Sequence, residues 1–172
     1  MGFYVVVRGA LGVGKTTVAT ALTSALRGHY LSVDSILDRN GLEEWEDGYV
    51  ALRSFLRANE ILVAEATPLL RDGIPVVVDG NFYFRAQIED LTRRLPFPHA
   101  VFTLKAPLET CLERDRNRPL SLGEQGVRDV FAKVSEVEYG EGIDALRSVA
   151  EVVDDIVRRT GLERPSTAGP GG

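Results

Sequence analysis

One run of eight residues, Gly-Ala-Leu-Gly-Val-Gly-Lys-Thr at positions 9–16, limits the possible folds and functions of this chain. It matches the pattern G-x-x-x-x-G-K-[ST] in full, with an apolar run before it and a helical pattern after it. Glycines let such a loop turn its backbone N–H groups onto phosphate oxygens, and the N-terminus of the next helix adds partial positive charge. The run therefore predicts a nucleoside-triphosphate site, in preference to an ordinary glycine-rich turn.

The residues of this phosphate loop have distinct expected roles. Lys15 is predicted to contact the β- and γ-phosphates, and the Thr16 hydroxyl to bind Mg²⁺. ATP and Mg²⁺ are accordingly the expected cofactors. The residues predicted to contact the nucleotide here are Gly9, Ala10, Leu11, Gly12, Val13, Gly14, Lys15, Thr16 and Thr17.

The composition is that of one soluble domain. Of the 172 residues, 44% are hydrophobic and 26% are charged, and no apolar run approaches the roughly 20 residues of a membrane span. The N-terminal sequence has no basic lead-in for a signal peptide, and the single cysteine, Cys111, suits a reducing compartment. We therefore expect a cytoplasmic domain over 1–160, monomeric or homodimeric, with no membrane partner and a flexible tail over 161–172.

The charge and the lysine positions argue against several classes of nucleotide-binding protein. The net charge is −5, whereas proteins that hold long nucleic acids usually carry an excess of Lys and Arg. A GTPase switch needs an Asn-Lys-x-Asp element, and neither Lys105 nor Lys133 lies in one. Motor ATPases carry additional elements for which a chain of this length has no room.

Apolar runs rich in β-branched residues alternate with segments of helical period, which is typical of a parallel α/β sheet. Strands are predicted over 3–7, 30–33, 75–78 and 100–104, with a short fifth strand over 142–145. Helices are predicted over 15–26 and 49–71, from residue 107, over 127–137 and over 149–156. The fold class is therefore α/β.

Two aspartates follow predicted strands. Asp79 ends the apolar run of Val-Val-Val-Asp-Gly-Asn, residues 76–81, a pattern that places a carboxylate near the Mg²⁺ of a bound nucleotide. Its alternative role is a helix or turn cap. Asp34, in Leu-Ser-Val-Asp-Ser, has three candidate roles, because a carboxylate there can cap the next helix, bind a metal or accept a proton.

The arginines of Leu-Glu-Arg-Asp-Arg-Asn-Arg-Pro, residues 112–119, form a candidate lid. Arg114 and Arg118 are spaced i and i+4, which places them on one helical face, while Arg116 points elsewhere. Two guanidinium groups beside a Pro- and Gly-rich stretch are expected to close over the nucleotide and neutralise the transferring phosphoryl group. The alternative is a helix C-terminus whose arginines pair with Glu113 or Asp115.

Taken together, these motifs resemble the small P-loop kinases, which include shikimate and gluconate kinases, polynucleotide kinases, zeta-toxin-like kinases and chloramphenicol phosphotransferase. The resemblance covers about residues 3–160, and Val-Val-Val-Asp-Gly-Asn with the later Glu-Val-Glu-Tyr-Gly-Glu-Gly is most similar to the chloramphenicol-phosphotransferase-like branch. It implies a three-layer sandwich with a five-stranded parallel sheet of order 2-3-1-4-5, helices on both faces and an arginine-bearing lid.

That strand order implies different roles for the two aspartates. Asp79 would lie close to Mg²⁺, because its strand neighbours the strand that leads into the phosphate loop. Asp34 would face the crevice beyond the γ-phosphate, where an acceptor docks, and is expected to act as general base. The predicted catalytic residues are Asp34, Lys15, Arg114 and Arg118, and Arg114 is also expected to contact the nucleotide.

The acceptor is predicted from the charge of residues 38–49, which hold five acids and one arginine. This balance favours a neutral or cationic hydroxyl compound, on whose ring Trp45 and Tyr49 can stack. The alternative is a solvated acidic loop with Trp45 folded onto the core. The candidate acceptor residues are Asp34, Trp45, Tyr49, Arg53, Asp79, Asn81 and Arg85.

The leading hypothesis is thus an ATP-dependent phosphotransferase that acts on the hydroxyl of a small molecule. Arg53, Arg57 and Arg85 could instead bind phosphate, which keeps a nucleotide kinase or a polynucleotide 5′-hydroxyl kinase open, with a nucleic-acid end as partner. A third hypothesis, from a different class, is a regulatory ATPase whose slow turnover switches its shape.

Overall fold

A computed structural model describes residues 1–162 of the chain. The strands are β1 (Tyr4–Gly9), β2 (His29–Ser32), β3 (Trp45–Glu46), β4 (Tyr49–Val50), β5 (Val76–Gly80), β6 (His99–Lys105) and β7 (Glu141–Asp144). The helices are α1 (Lys15–Leu26), α2 (Val33–Arg39), α3 (Leu52–Arg71), α4 (Arg85–Arg94), α5 (Leu108–Arg116), α6 (Gly123–Ser135) and α7 (Val149–Thr160). From residue 163 onward, the predicted tail lies outside the described residues.

Five of the strands form one parallel sheet in the order β2-β5-β1-β6-β7. The order expected from the resemblance, 2-3-1-4-5, is the same succession when the hairpin strands β3 and β4 are left out of the count. Every residue of the central strand β1 is buried, as its run of valines requires in a sheet covered on both faces. Val7 of β1 pairs with Asp79 of β5, and this register brings the aspartate beside the start of the phosphate loop.

Two apolar cores cover the two faces of the sheet. One contains Tyr4 and Val6 of β1 with buried residues of α2, α3 and α4, and the other contains Val5 and Val7 with buried residues of α1, α5 and α7. Helix α6 contributes to both, with Val127 in the second core and Val134 in the first. We conclude that α6 passes from one face of the sheet to the other at the carboxyl ends of β1 and β6. Over the described range 1–162, no helix is both long and apolar enough to span a membrane.

The hairpin β3–β4 corrects the predicted helix over 49–71. Tyr49 lies in β4 and pairs with Glu46, and helix α3 begins only at Leu52. Asp47 and Gly48 both have positive φ, at 54° and 82°. A two-residue turn of this kind matches the twist of a hairpin, and Asp-Gly is a typical sequence for it. The turn therefore starts a hairpin where the helical pattern predicted a longer helix.

The other differences from the prediction concern two helix ends and one helix, α4. The second strand ends at Ser32, one residue earlier than predicted, because Val33 begins helix α2. Helix α4 was not predicted, since Ile88 and Leu91 are its only buried aliphatic residues. Helix α5 ends at Arg116, so the expectation that Arg118 continues its face is wrong.

Candidate active site

The phosphate loop leaves the N-terminus of α1 open to an anion. Gly14 is the N-cap residue, with φ 103°, and no side chain caps the helix. The first N–H groups of a helix have no acceptor within it, so here they can bind phosphate oxygens. Lys15 is buried, and its Nζ donates a hydrogen bond to the carbonyl of Ala10 at 2.9 Å. Burial lowers the pKa of Lys15, and the charges of Asp79 and Asp34 oppose that shift.

Oxygen atoms suited to Mg²⁺ meet at the end of this loop. The Thr16 hydroxyl donates to Oδ2 of Asp79 at 2.9 Å, so a hydroxyl and a carboxylate are within reach of one ion. Mg²⁺ prefers oxygen ligands and commonly keeps waters and substrate phosphates around one or two protein ligands. In residues 1–162 no group of three or more His, Cys, Asp or Glu is arranged to hold a metal ion. Thr16 and Asp79 thus fit a magnesium ion that arrives with its nucleotide.

A tyrosine that the sequence analysis did not single out joins the same carboxylate. The hydroxyl of Tyr30, on β2, donates to Oδ2 of Asp79 at 2.7 Å. Burial raises the pKa of Tyr30 to about 12, and its bond to Asp79 adds to that shift. Tyrosine is common in strands for its shape alone, so no local pattern indicates this contact.

Asp34 does not cap helix α2. The N-cap residue is Ser32, whose Oγ accepts a hydrogen bond from the N–H of Ser35 at 3.2 Å. Asp34 lies in the first turn, and it is exposed to solvent. Desolvation by the surrounding groups nevertheless raises the pKa of Asp34, and the charge of Asp79 adds to that shift, while the positive charge of Lys15 opposes it. The structure therefore leaves this carboxylate open to solvent and in electrostatic contact with the phosphate-loop lysine.

Aromatic rings from two segments gather near Asp34. The ring of Tyr83 makes edge contacts with the rings of Tyr49, at 5.7 Å between centroids, and Phe84, at 5.0 Å. Burial raises the pKa of Tyr83 to about 12, and the charge of Asp34 adds to the shift. From helix α6, Lys133 places its Nζ 4.9 Å from the Tyr49 centroid and 5.2 Å from that of Phe84. Of this group, which we call the aromatic cluster, only Tyr49 was predicted.

The turn after Asp79 is held by a buried arginine that was also not predicted. Arg8 donates from Nε and Nη2 to the carbonyl of Phe82 at 3.3 and 3.1 Å, and from Nη1 to the Thr103 hydroxyl at 2.9 Å. Burial lowers the pKa of Arg8 to about 10. The turn presents Asn81, whose Oδ1 is buried and accepts no hydrogen bond from the described part of the chain. The role of Asn81 at the substrate stays a prediction.

The remaining predicted acceptor residues lie further out. Trp45 is 61% exposed, so the alternative that folds it onto the core is wrong. Arg53 forms ion pairs with Glu44 and with Glu46, the latter at 3.0 Å. Arg85 donates to the carbonyl of Glu138 at 2.8 Å. The two arginines are therefore already engaged by other groups of the chain.

Of the two predicted lid arginines, Arg114 contacts the phosphate loop. It donates to the carbonyls of Val13 at 2.8 Å and Ala145 at 3.1 Å, and so joins that loop to the segment after β7. Arg118 lies 3.8 Å from Asp115, the pairing that the alternative reading described. Its positive charge still favours the ionised form of Asp34. Arg116 lies 3.6 Å from Glu124.

Two cavities flank the phosphate loop. A cavity of about 280 Å³ is lined by Gly14, Thr17, Arg114, Ala145 and Arg147, among others. A larger cavity, of about 420 Å³, lies between helix α6 and the ends of β1 and β6. Its described lining does not include Lys15, Thr16, Asp34 or Asp79, so it does not reach the expected reacting groups.

Comparison with protein families identifies the chain. The model of the AAA_33 family, described as an AAA domain, matches residues 5–136. The chain belongs to the AAA_33 family. No curated protein sequence matches it significantly. The matched range of this AAA_33 protein contains the phosphate loop, Asp34, Asp79 and both predicted lid arginines.

Solved structures with the same fold include small kinases. A gluconokinase from Sinorhizobium meliloti 1021 is 17% identical, with a TM-score of 0.68 and coverage of 92% of this chain and 91% of that one. The tunicamycin resistance protein of Deinococcus radiodurans is 22% identical, with a TM-score of 0.69 and coverage of 96% and 100%. Shikimate kinase from Acinetobacter baumannii, in complex with shikimate, is 25% identical, with a TM-score of 0.60 and coverage of 92% of each chain. The AAA_33 protein thus has the fold of the small P-loop kinases.

Proposed function

We propose that this AAA_33 protein transfers the γ-phosphoryl group of MgATP to a hydroxyl of a neutral small molecule, with Asp34 as general base. The observation that carries the proposal is the position of Asp34. Because Ser32 caps helix α2, the carboxylate of Asp34 is not needed for capping. It remains solvent-accessible and in electrostatic contact with Lys15 and Asp79, the groups expected around the γ-phosphate.

In the proposed reaction, the acceptor oxygen forms a bond to the γ-phosphorus while the bond from that phosphorus to the β,γ-bridging oxygen breaks. The hydroxyl proton passes to the carboxylate of Asp34, and ADP leaves. A base of this kind contributes about 10²- to 10⁴-fold to the rate. The raised pKa of Asp34 favours this role, because a carboxylate is a stronger base when its pKa is closer to neutrality.

The nucleotide would be held by the loop and the neighbouring cavity. The N–H groups at the start of α1 and the Nζ of Lys15 would bind the phosphates, and Thr16 and Asp79 would hold Mg²⁺. When bound there, Mg²⁺ neutralises charge on the β- and γ-phosphates. The cavity lined by Arg114 and Arg147 has about 280 Å³ available, and we assign it to the base and ribose.

A neutral acceptor is supported by the state of the nearby cations. Arg53 is paired with Glu44 and Glu46, and Arg85 is bound to a backbone carbonyl, so an anionic acceptor would have to displace existing contacts. Lys133 lies against the rings of Tyr49 and Phe84. The half-buried rings of Tyr49 and Phe84 would supply an apolar wall for the acceptor.

The test is to offer γ-labelled ATP and Mg²⁺ to the protein with three acceptor pools. The pools are neutral metabolites and anionic metabolites, separated on an anion-exchange column, and short RNA and DNA oligonucleotides with free 5′-hydroxyls. Lys15→Ala is the control, because it removes the phosphate-loop ammonium. We expect wild-type protein to label the neutral pool, and Lys15→Ala to label none.

Labelling of the anionic metabolite pool alone would overturn the neutral-acceptor part of the proposal. Labelling of the oligonucleotides would replace it by an end-kinase function. Hydrolysis of ATP with no label in any pool would overturn phosphoryl transfer and favour a regulatory ATPase.

A further inference from the structure

Asp79 receives two hydrogen bonds on the same oxygen, and only one of them comes from the phosphate loop. Thr16 donates to Oδ2 at 2.9 Å, and Tyr30 donates to the same atom at 2.7 Å. The tyrosine belongs to strand β2, on the far side of β5 from the phosphate loop. The carboxylate is thus held from both sides.

The register of the sheet explains why a tyrosine is needed for this contact. Tyr30 pairs with Val77, two residues before Asp79, while Ser32 is the residue directly opposite the aspartate. Only a long side chain can therefore reach forward from position 30 to the carboxylate. The ring of Tyr30 packs against the core on the α1 face, and this packing fixes the direction of its hydroxyl. Phenylalanine would fill the same space without donating the bond.

We infer that Tyr30 is a positioning residue for the magnesium-site carboxylate, orienting Asp79 so that a metal ion bound with the nucleotide meets a preset oxygen ligand. The inference rests on the proposed function insofar as that function requires a metal–nucleotide complex. A neutral phenol is a hydrogen-bond donor that leaves the charge of the carboxylate intact. Groups that hydrogen-bond to metal ligands commonly change metal affinity by about 10- to 100-fold when they are removed.

A merely structural hydroxyl would behave differently. If the Tyr30 bond served only to satisfy a half-buried phenol, its loss would lower the stability of the fold and leave metal affinity unchanged. Tyr4 provides the comparison. Its hydroxyl donates to the carbonyl of Leu95 at 3.1 Å, in the core and at the opposite end of the sheet from the phosphate loop. Tyr4→Phe therefore removes a buried tyrosine hydrogen bond away from the metal site.

The experiment titrates Mn²⁺ into the full chain saturated with the β,γ-imido analogue of ATP and follows free Mn²⁺ by electron paramagnetic resonance. Wild type, Tyr30→Phe and Tyr4→Phe are compared, and thermal unfolding shows that each is folded. A second titration measures binding of the analogue without divalent metal. Neither measurement depends on an acceptor or on turnover.

We expect Tyr30→Phe to weaken Mn²⁺ binding about 10-fold or more, with metal-free binding of the analogue unchanged and Tyr4→Phe equal to wild type. Equal Mn²⁺ affinity in Tyr30→Phe and wild type would overturn the inference. Equal weakening in both variants would also overturn it, because the effect would then come from general loosening of the fold. Failure of wild type itself to bind Mn²⁺ with the analogue would instead count against the proposed function.

Discussion

The Oγ of Ser32 accepts a hydrogen bond of 3.2 Å from the backbone N–H of Ser35. Ser32 therefore caps helix α2, and Asp34 does not. In the first turn of α2 the charge of Asp34 also interacts favourably with the helix dipole. One short segment therefore provides both the start of a helix and a carboxylate whose charge interacts with the phosphate-loop lysine, Lys15. The proposed catalytic role of Asp34 depends on Ser32 being the cap of this helix.

Replacement of Asp34 by Asn is expected to raise the Tm at neutral pH. The folded protein raises the pKa of Asp34 above its unfolded value, so folding favours the protonated form. Asp34 therefore stabilises the fold fully at a pH below the pKa that it has in the unfolded chain. This stabilisation is lost as the pH rises through its pKa in the folded protein. Melting curves of wild type and Asp34→Asn should therefore differ at about pH 8 and converge below about pH 4.

Glu109→Gln is the control for this effect, because Glu109 is likewise an exposed acid in the first turn of a helix, α5. It removes one negative charge from a comparable position on another helix, and the pH dependence of the Tm of Asp34→Asn is compared with that of this variant. A lower Tm for Asp34→Asn than for wild type at about pH 8 would contradict the linkage argument.

Gly12→Ala is expected to abolish nucleotide binding. Gly12 has φ 75°, and a Cβ there would lie 2.3 Å from the carbonyl oxygen of Cys111, so the loop or helix α5 would have to move. Gly41→Ala is the matched control, because Gly41 also has positive φ, at 59°, with nothing within 4 Å of the added atom. Gly41→Ala should cost about 1–2 kcal/mol of stability and leave nucleotide binding intact. Isothermal titration with ATP compares the two variants. Equal affinities of Gly12→Ala and Gly41→Ala for ATP would show that the contact with Cys111 does not control nucleotide binding.

Arg114→Ala is expected to raise the KM for ATP about 10-fold or more, because hydrogen bonds of a charged group contribute about 1.5–3 kcal/mol. Its guanidinium joins the carbonyls of Val13 and Ala145 beside the cavity assigned to the base. Arg116→Ala serves as the control, since Arg116 is on the same helix but 66% exposed and near Glu124. Steady-state kinetics over a range of ATP concentrations measures both variants. An unchanged KM in Arg114→Ala would remove Arg114 from the proposed nucleotide site.

The parts of the site that the sequence predicted depend on local patterns. The phosphate loop is encoded by closely spaced glycines and a lysine, and helix α1 was predicted over the residues that form it, Lys15–Leu26. Asp79 was placed correctly because an apolar run before a carboxylate marks the carboxyl end of a buried strand. Given those patterns, a parallel sheet follows because helices connect the successive strands of the sheet.

The parts that were missed depend on contacts between distant segments. Lys133 and Tyr49 are far apart in sequence and meet only because helix α6 packs beside the hairpin. Tyr30 reaches Asp79 through sheet register, which cannot be inferred from either strand alone. Arg118 was misplaced because the i, i+4 argument assumed a helix that in fact ends at Arg116. Helix ends depend on capping and on tertiary contacts, which a periodic pattern does not record.

The rate of phosphoryl transfer from γ-labelled ATP in Asp34→Asn, beside wild type and Glu109→Gln, tests the proposed mechanism most directly. The acceptor is the pool that wild type labels. We expect Glu109→Gln to match wild type, and Asp34→Asn to transfer label about 10²- to 10⁴-fold more slowly with an unchanged KM for ATP. Transfer by Asp34→Asn at the wild-type rate would contradict the role of Asp34 as general base.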